Sequence, residues 1–132
     1  MKHIVLGLTI AAALIAAAMP LMAHHSFAAE FDSAKQIKLT GVVTKIDWTN
    51  PHVWFYFDVK DESGQVINWG AEMGPPHLLQ GSGWTRTTMK IGDTINVQGS
   101  LAKNGSKRLN ARTVTTPDGK RMGAASSEGV TP

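Results

Sequence analysis

The sequence predicts a mostly β domain: a small five-stranded barrel with a short helical connection between strands three and four. Three observations lead there. The segment from His52 to Lys60 alternates strictly, with Val53, Phe55, Phe57 and Val59 on one side and Trp54, Tyr56 and Asp58 on the other, the period of a half-buried strand. Turn signals recur at Asn50-Pro51, Asp61-Glu62-Ser63-Gly64, Asn104-Gly105 and Pro117-Asp118-Gly119, all built from residues that bend the backbone at low cost. One stretch, opened by Gly74-Pro75-Pro76, breaks the strand pattern and has room for a helical turn or two.

Taken in order, residues 24–35 show no period and read as an extended N-terminal arm. The first strand opens at Gln36, dense in β-branched residues up to Ile46, with Gly41 suggesting a bulge. The second is the alternating segment itself. Gln65 to Glu72 returns as the third, with Ile67, Trp69 and Ala71 inward. Proline suits the first turn of a helix, so His77-Leu78-Leu79-Gln80 is helical until Gly81 and Gly83 end it. Trp84 to Met89 is a second short helical or irregular segment. Lys90-Ile91-Gly92-Asp93 turns into a fourth strand, Thr94 to Leu101, and the Asn104-Gly105 hairpin leads to a fifth, Leu109 to Thr115. From Gly123 the chain is Ala, Ser, Gly and Pro without periodicity, which predicts a disordered tail over 123–132. Three strands, a helix and two strands is the order of an OB-type barrel, here spanning 36–122. An open sandwich is the competing arrangement.

Ahead of the domain, Met1-Lys2-His3 gives a basic start, and Ile4 to Ala18 is apolar or small apart from Thr9. Met19-Pro20 breaks the run and Leu21-Met22-Ala23 supplies a cleavage site, so residues 1–23 read as a secretory signal peptide. An uncleaved anchor is the alternative, but the run falls short of the roughly 20 residues a spanning helix needs. Cleavage after Ala23 leaves one domain, outside the cytoplasm and with no stable membrane span. The chain of 132 residues contains no cysteine. Thiol redox chemistry and thiolate metal sites are excluded, and any metal must be held by His, Asp, Glu, Met or backbone groups. The formal net charge is only +3. Such weak positivity, together with export, argues against nucleic acid as a partner.

His24-His25-Ser26-Phe27 before an acidic arm, Asn50-Pro51-His52, Trp69-x-x-Glu72, Gly83-Trp84-Thr85-Arg86, Lys90-x-Gly92-Asp93 and Pro117-Asp118-Gly119 resemble a family of short exported proteobacterial proteins known only as a domain of unknown function. The resemblance covers nearly the whole mature chain. It implies a periplasmic protein of a Gram-negative bacterium and brings no activity, substrate or cofactor. His77 lies outside the family pattern.

Four histidines survive removal of the leader: His24, His25, His52 and His77. Cleavage after Ala23 makes His24 the N-terminus, and its α-amine and imidazole can chelate one ion together. His52, beside a turn, is a sensible further nitrogen donor, and Glu72 can add an oxygen. A nitrogen-rich set of this kind suits copper(II), with zinc(II) second. An α-amine must shed its proton to bind, so affinity should fall with acid. Two solvated histidines on a floppy terminus, with His52 capping a turn, are the bland alternative.

Trp54 and Tyr56 fall on the face opposite the core and are candidates to stack on a partner. Trp84 and Arg86 join them as candidates, although a cation–π contact between the two, or an Arg86–Glu72 ion pair, would make both structural. No nucleophile elbow, metalloprotease motif or phosphate-binding loop is present, so a small hydrolase is the least favoured class. The sequence thus predicts a non-catalytic periplasmic binding or accessory protein that takes copper(II) through His24, His25, His52 and Glu72. The alternative is a metal-free module binding a protein, peptide or glycan through the aromatic face.

Overall fold

The structure, a computed structural model, describes residues 27–128. The leader, His24, His25 and the last four residues lie outside the described residues. Among the described residues six strands run β1 (Phe31–Asp47), β2 (Trp54–Lys60), β3 (Val66–Glu72), β4 (Thr94–Ala102), β5 (Arg108–Thr115) and β6 (Arg121–Gly123), with a helix, α1 (Pro76–Gly81), between β3 and β4. Their order in the sheet is β3-β2-β1-β4-β5-β6, and a parallel pairing of β3 with β5 closes five strands into a ring. This is the OB-type barrel with its helix in the expected place.

β1 makes the closure possible. Its first part pairs with β4, from Phe31↔Ala102 to Val42↔Thr94, and its last part pairs with β2, from Val42↔Asp58 to Asp47↔Trp54. A strand serving both half-sheets must coil, and irregularities at Asp32/Gln36 and Val43/Lys45 supply the bends. Gly41 is not itself the bulge that the sequence suggested. A Cβ there would lie 2.5 Å from the Asp58 carbonyl oxygen and 2.8 Å from the Phe57 ring, so glycine is required by the close crossing of β2.

Alternation places Phe55, Phe57, Trp69, Ala71, Ile95, Val97, Leu109 and Val114 inside the barrel, all buried. Leu79, the buried residue of α1, and Trp84 cover one end. Pro76 occupies the first turn of α1, where its missing N–H costs nothing. The β2–β3 turn is held by Asp61, whose Oδ1 accepts from the Ser63 and Gln65 amides, both at 2.9 Å. The Ser63 hydroxyl, which donates to the same oxygen, is the main reason the Asp61 pKa is lowered.

Both ends of the domain differ from expectation. The predicted arm is already structured at residue 27: residues 27–30 form a helical turn and β1 opens at Phe31, whose ring is buried and lies 5.7 Å from that of Phe27. At the other end, Gly123 belongs to β6, and residues 124–128 run along the barrel rather than forming a disordered tail. The Ala124 amide donates to the Arg112 carbonyl at 2.9 Å, and the Gly74 amide donates to the Ala124 carbonyl at 2.8 Å. The fit depends on Gly74, since a Cβ there would strike the backbone and side chain of Ala125. Backbone pairing of this kind leaves no trace in hydropathy, which is why composition alone suggested disorder.

Candidate functional site

β3 alternates, so Glu72 shares the outer face with Asn68 and Gly70 while Trp69 and Ala71 point inward. In the registers it sits between Trp54 on β2 and Asn110 on β5. An outer position would normally be solvated, yet Glu72 is only 8% exposed, because residues 124–128 pass over this face. Two backbone bonds beyond the ladder, Val53 amide to Gly74 carbonyl (3.1 Å) and Met73 amide to Val53 carbonyl (2.8 Å), extend the β2–β3 contact past the strand ends. They bring His52 to Glu72. His52 Nδ1 lies 3.5 Å from Glu72 Oε1, longer than a normal hydrogen bond but within ion-pair reach. His52 follows the cis Asn50-Pro51 peptide bond. The pair opens into a cavity of about 190 Å³ that also touches Met73, Pro75, Leu78 and Ser126.

Burial pushes the Glu72 carboxyl up to about 7, and the negative charge of Glu30 pushes the same way. A single donor opposes them: the Asn110 amide, 3.2 Å from Oε1. From there a chain of hydrogen bonds crosses the outer face. Ser126 Oγ donates to Asn110 Oδ1 at 2.5 Å and accepts from the Glu128 amide at 3.0 Å. Ser100 Oγ donates to Glu128 Oε2 at 2.7 Å and accepts from Gln36 Nε2 at 2.7 Å. Arg112 Nε stands 3.6 Å from the same Glu128 oxygen. Asn110 and Ser100 are essentially inaccessible, so this network fixes the C-terminal segment over Glu72.

Of the expected metal donors, the structure therefore unites His52 and Glu72. His24 and His25 fall outside the described residues, which begin close by: the helical turn at 27–30 borders Trp54, and Glu30 acts electrostatically on Glu72. Among the described residues no group of three His, Cys, Asp or Glu side chains is arranged to hold a metal.

Trp54 and Tyr56 are half-exposed, with ring centroids 6.4 Å apart and planes 21° from parallel. Lys45, the cross-strand partner of Tyr56, holds its ammonium 5.3 Å from that ring, and the Arg108 guanidinium lies 5.5 Å from Trp54. The Tyr56 ring lies across Gly70, where a Cβ would come within 3.2 Å of Cε1. Trp84 cannot belong to this face. It is 2% exposed in the core, and its Nε1 donates to the Gly123 carbonyl at 2.8 Å. Arg86 is exposed, and among the described residues it makes neither the contact with Trp84 nor the ion pair with Glu72.

Sequence reasoning missed Asn110 and Ser100, which fall at outward positions of their strands, Ser126, which it placed in a disordered tail, and the cations Lys45 and Arg108. A signal existed for Asn110: it sits between two core residues, Leu109 and Ala111, on a strand that the OB order places next to β3.

Residues 12–111 match the Family of unknown function DUF6152, and the chain belongs to that family. No curated protein matches it. Among solved structures, it is similar to TiaS lacking its ZRD, in complex with agmatine: 19% identity, TM-score 0.46, covering 76% of this chain but only 25% of the other. It is also similar to a small single-stranded DNA-binding protein from Streptomyces coelicolor, at 18% identity and TM-score 0.42, covering 61% and 90%. A third is the N-terminal domain of PriB from Thermoanaerobacter tencongensis, at 14% and 0.39, covering 63% and 96%. These likenesses are of fold. They do correct one expectation: a protein of this fold binds single-stranded DNA, so the exclusion of nucleic acid on net charge and export is withdrawn.

Proposed function

We propose that this is an exported, non-catalytic metal-binding accessory protein of the periplasm, with His52 and Glu72 as the barrel's share of a copper(II) site. The observation behind it is the His52–Glu72 pair, 3.5 Å apart at the mouth of a small cavity. His24 and His25 would supply the remaining nitrogens. They stand just ahead of the helical turn at 27–30, whose Glu30 carries a charge that acts on Glu72. An imidazole and a carboxylate accept copper(II) first and zinc(II) second. The protein's part is to orient the two side chains and shelter them under residues 124–128.

The test is a copper(II) titration of mature protein whose N-terminus has been established by mass spectrometry. His52→Ala, Glu72→Gln and a variant with one alanine ahead of His24 are titrated beside it. One-to-one binding weakened by all three changes is the expected result. Binding that ignores His52 and Glu72, or none, ends this reading.

The Trp54–Tyr56 pair favours a second reading, a metal-free module that lays a protein, peptide or glycan partner across the aromatic face. Quenching of tryptophan fluorescence by such a partner, lost in Tyr56→Ala, would support it. A response indifferent to Tyr56 would remove it.

A further inference from the structure

A larger cavity, about 450 Å³, lies between the helical turn at 27–30, Trp54 and the β4–β5 turn. That is the size range of small-molecule sites, roughly 300–1,000 Å³. Its walls are chemically divided. Phe31 and the Trp54 ring are apolar, whereas Lys103, Asn104, Ser106 and Arg108 form a polar side with two cations, and the carboxylate of Glu30 is the one acid in the wall. Neither Lys103 nor Arg108 has a carboxylate partner among the described residues. The Lys103 ammonium donates to the Ala28 carbonyl, which ties the helical turn to the rim, and Arg108 lies over Trp54.

Ser106 is the informative residue. Among the described residues its Oγ is the one buried side-chain polar atom with no hydrogen-bond partner. An orphaned hydroxyl costs stability, and native proteins keep few of them without reason. Its neighbours are satisfied: the Ser106 amide donates to Asn104 Oδ1 at 3.0 Å, which fixes the turn without using the hydroxyl.

We infer that this cavity is a binding site for a small organic oxyanion, a carboxylate or phosphate joined to a flat or apolar body. The anion is neutralised by Arg108 and Lys103, and the Ser106 hydroxyl, buried in the cavity wall, rotates to donate to it, while the body rests against Trp54 and Phe31. Arg108 is the natural fork for either oxyanion. The site is separate from the His52–Glu72 pair and does not depend on copper binding.

The test is an amide and indole NMR titration of the full mature protein with three probes: a nucleoside monophosphate, an aromatic carboxylate and inorganic phosphate alone. The proposal expects saturable shifts at Ser106, at the 103–108 turn and at the Trp54 indole with one of the organic anions. Phosphate alone should bind more weakly, and the stronger organic anion identifies the source of the oxyanion. Arg108→Gln should weaken binding about tenfold or more. Ser106→Ala is the decisive variant. It removes an orphaned hydroxyl, so the free protein should melt at the same temperature or higher while affinity falls. A stability loss in Ser106→Ala without an affinity change, shifts confined to other surfaces, or no saturable shift at millimolar probe would each overturn the proposal.

Discussion

Glu72 and Asn110 face each other across the parallel β3–β5 pairing, with the Asn110 amide 3.2 Å from the carboxyl oxygen. The closure of the barrel therefore also sets the environment of its most perturbed acid. One neutral donor does not offset burial and the field of Glu30, so the proton is held to about pH 7.

That shift makes stability depend on pH in a definite direction. The folded carboxyl titrates near 7 and the unfolded one near its ordinary 4.5. Below 4.5 both states are protonated and the folded protein pays no penalty. Between 4.5 and 7 the unfolded state releases a proton that the folded state keeps, so stability falls as pH rises and levels off above 7. The full loss from this group is about 3 kcal/mol. Denaturant melts at pH 4.5 and 8 should show it in wild type, and Glu72→Gln should flatten that difference.

Truncation after Gly123 should act on the same residue from the other side. It removes the Ser126 and Glu128 contacts and uncovers Glu72. The expected outcome is a loss of about 2 kcal/mol or more, since the Asn110 side-chain oxygen loses its Ser126 donor and the Ser100 hydroxyl its Glu128 acceptor. Glu72 should also titrate closer to an ordinary carboxyl, as carbon-detected NMR would read. An unchanged titration would mean that the segment does not shield it.

Trp84 tests whether the end of the barrel is closed as described. Trp84→Phe loses the bond to the Gly123 carbonyl and should cost about 1–2 kcal/mol, whereas Trp84→Ala also opens a cavity and should cost about 3–5 kcal/mol. Chemical denaturation of the two variants measures the difference.

Gly41→Ala forces a methyl group against the Asp58 carbonyl and the Phe57 ring. A destabilisation of about 1–3 kcal/mol is expected, with amide exchange rising first along the β1–β2 pairing. Gly64→Ala, at a turn with φ of 84° and open space around it, is the comparison in which only backbone strain operates.

Much of the barrel was legible because its signals are local. The alternation around Phe55 and Phe57, the Asp61 turn and the proline that opens α1 each depend on neighbours in sequence. The placement of His52 beside Glu72 was legible only as a possibility, since it rests on Val53 pairing with Met73 and Gly74. What escaped was the covering of an outer face. Ser126 and Glu128 have no hydropathy pattern, and their partners Asn110 and Ser100 are distant in sequence. Trp84 misled for the opposite reason: a large ring in an irregular segment looked available to a partner, while its indole was needed by β6.

β1 has a kinetic consequence. The β2–β3 hairpin can form from adjacent residues, but β1 reaches its other neighbour through contacts such as Gln36 to Ser100, 64 positions apart. Nearly the whole domain must emerge before the ring can shut. Folding should then run on the millisecond-to-second scale of non-local β topologies. Until it finishes, the outer edges of β1 and β3 stay open to pairing with another chain, so the interval before closure is when this protein is most exposed to aggregation.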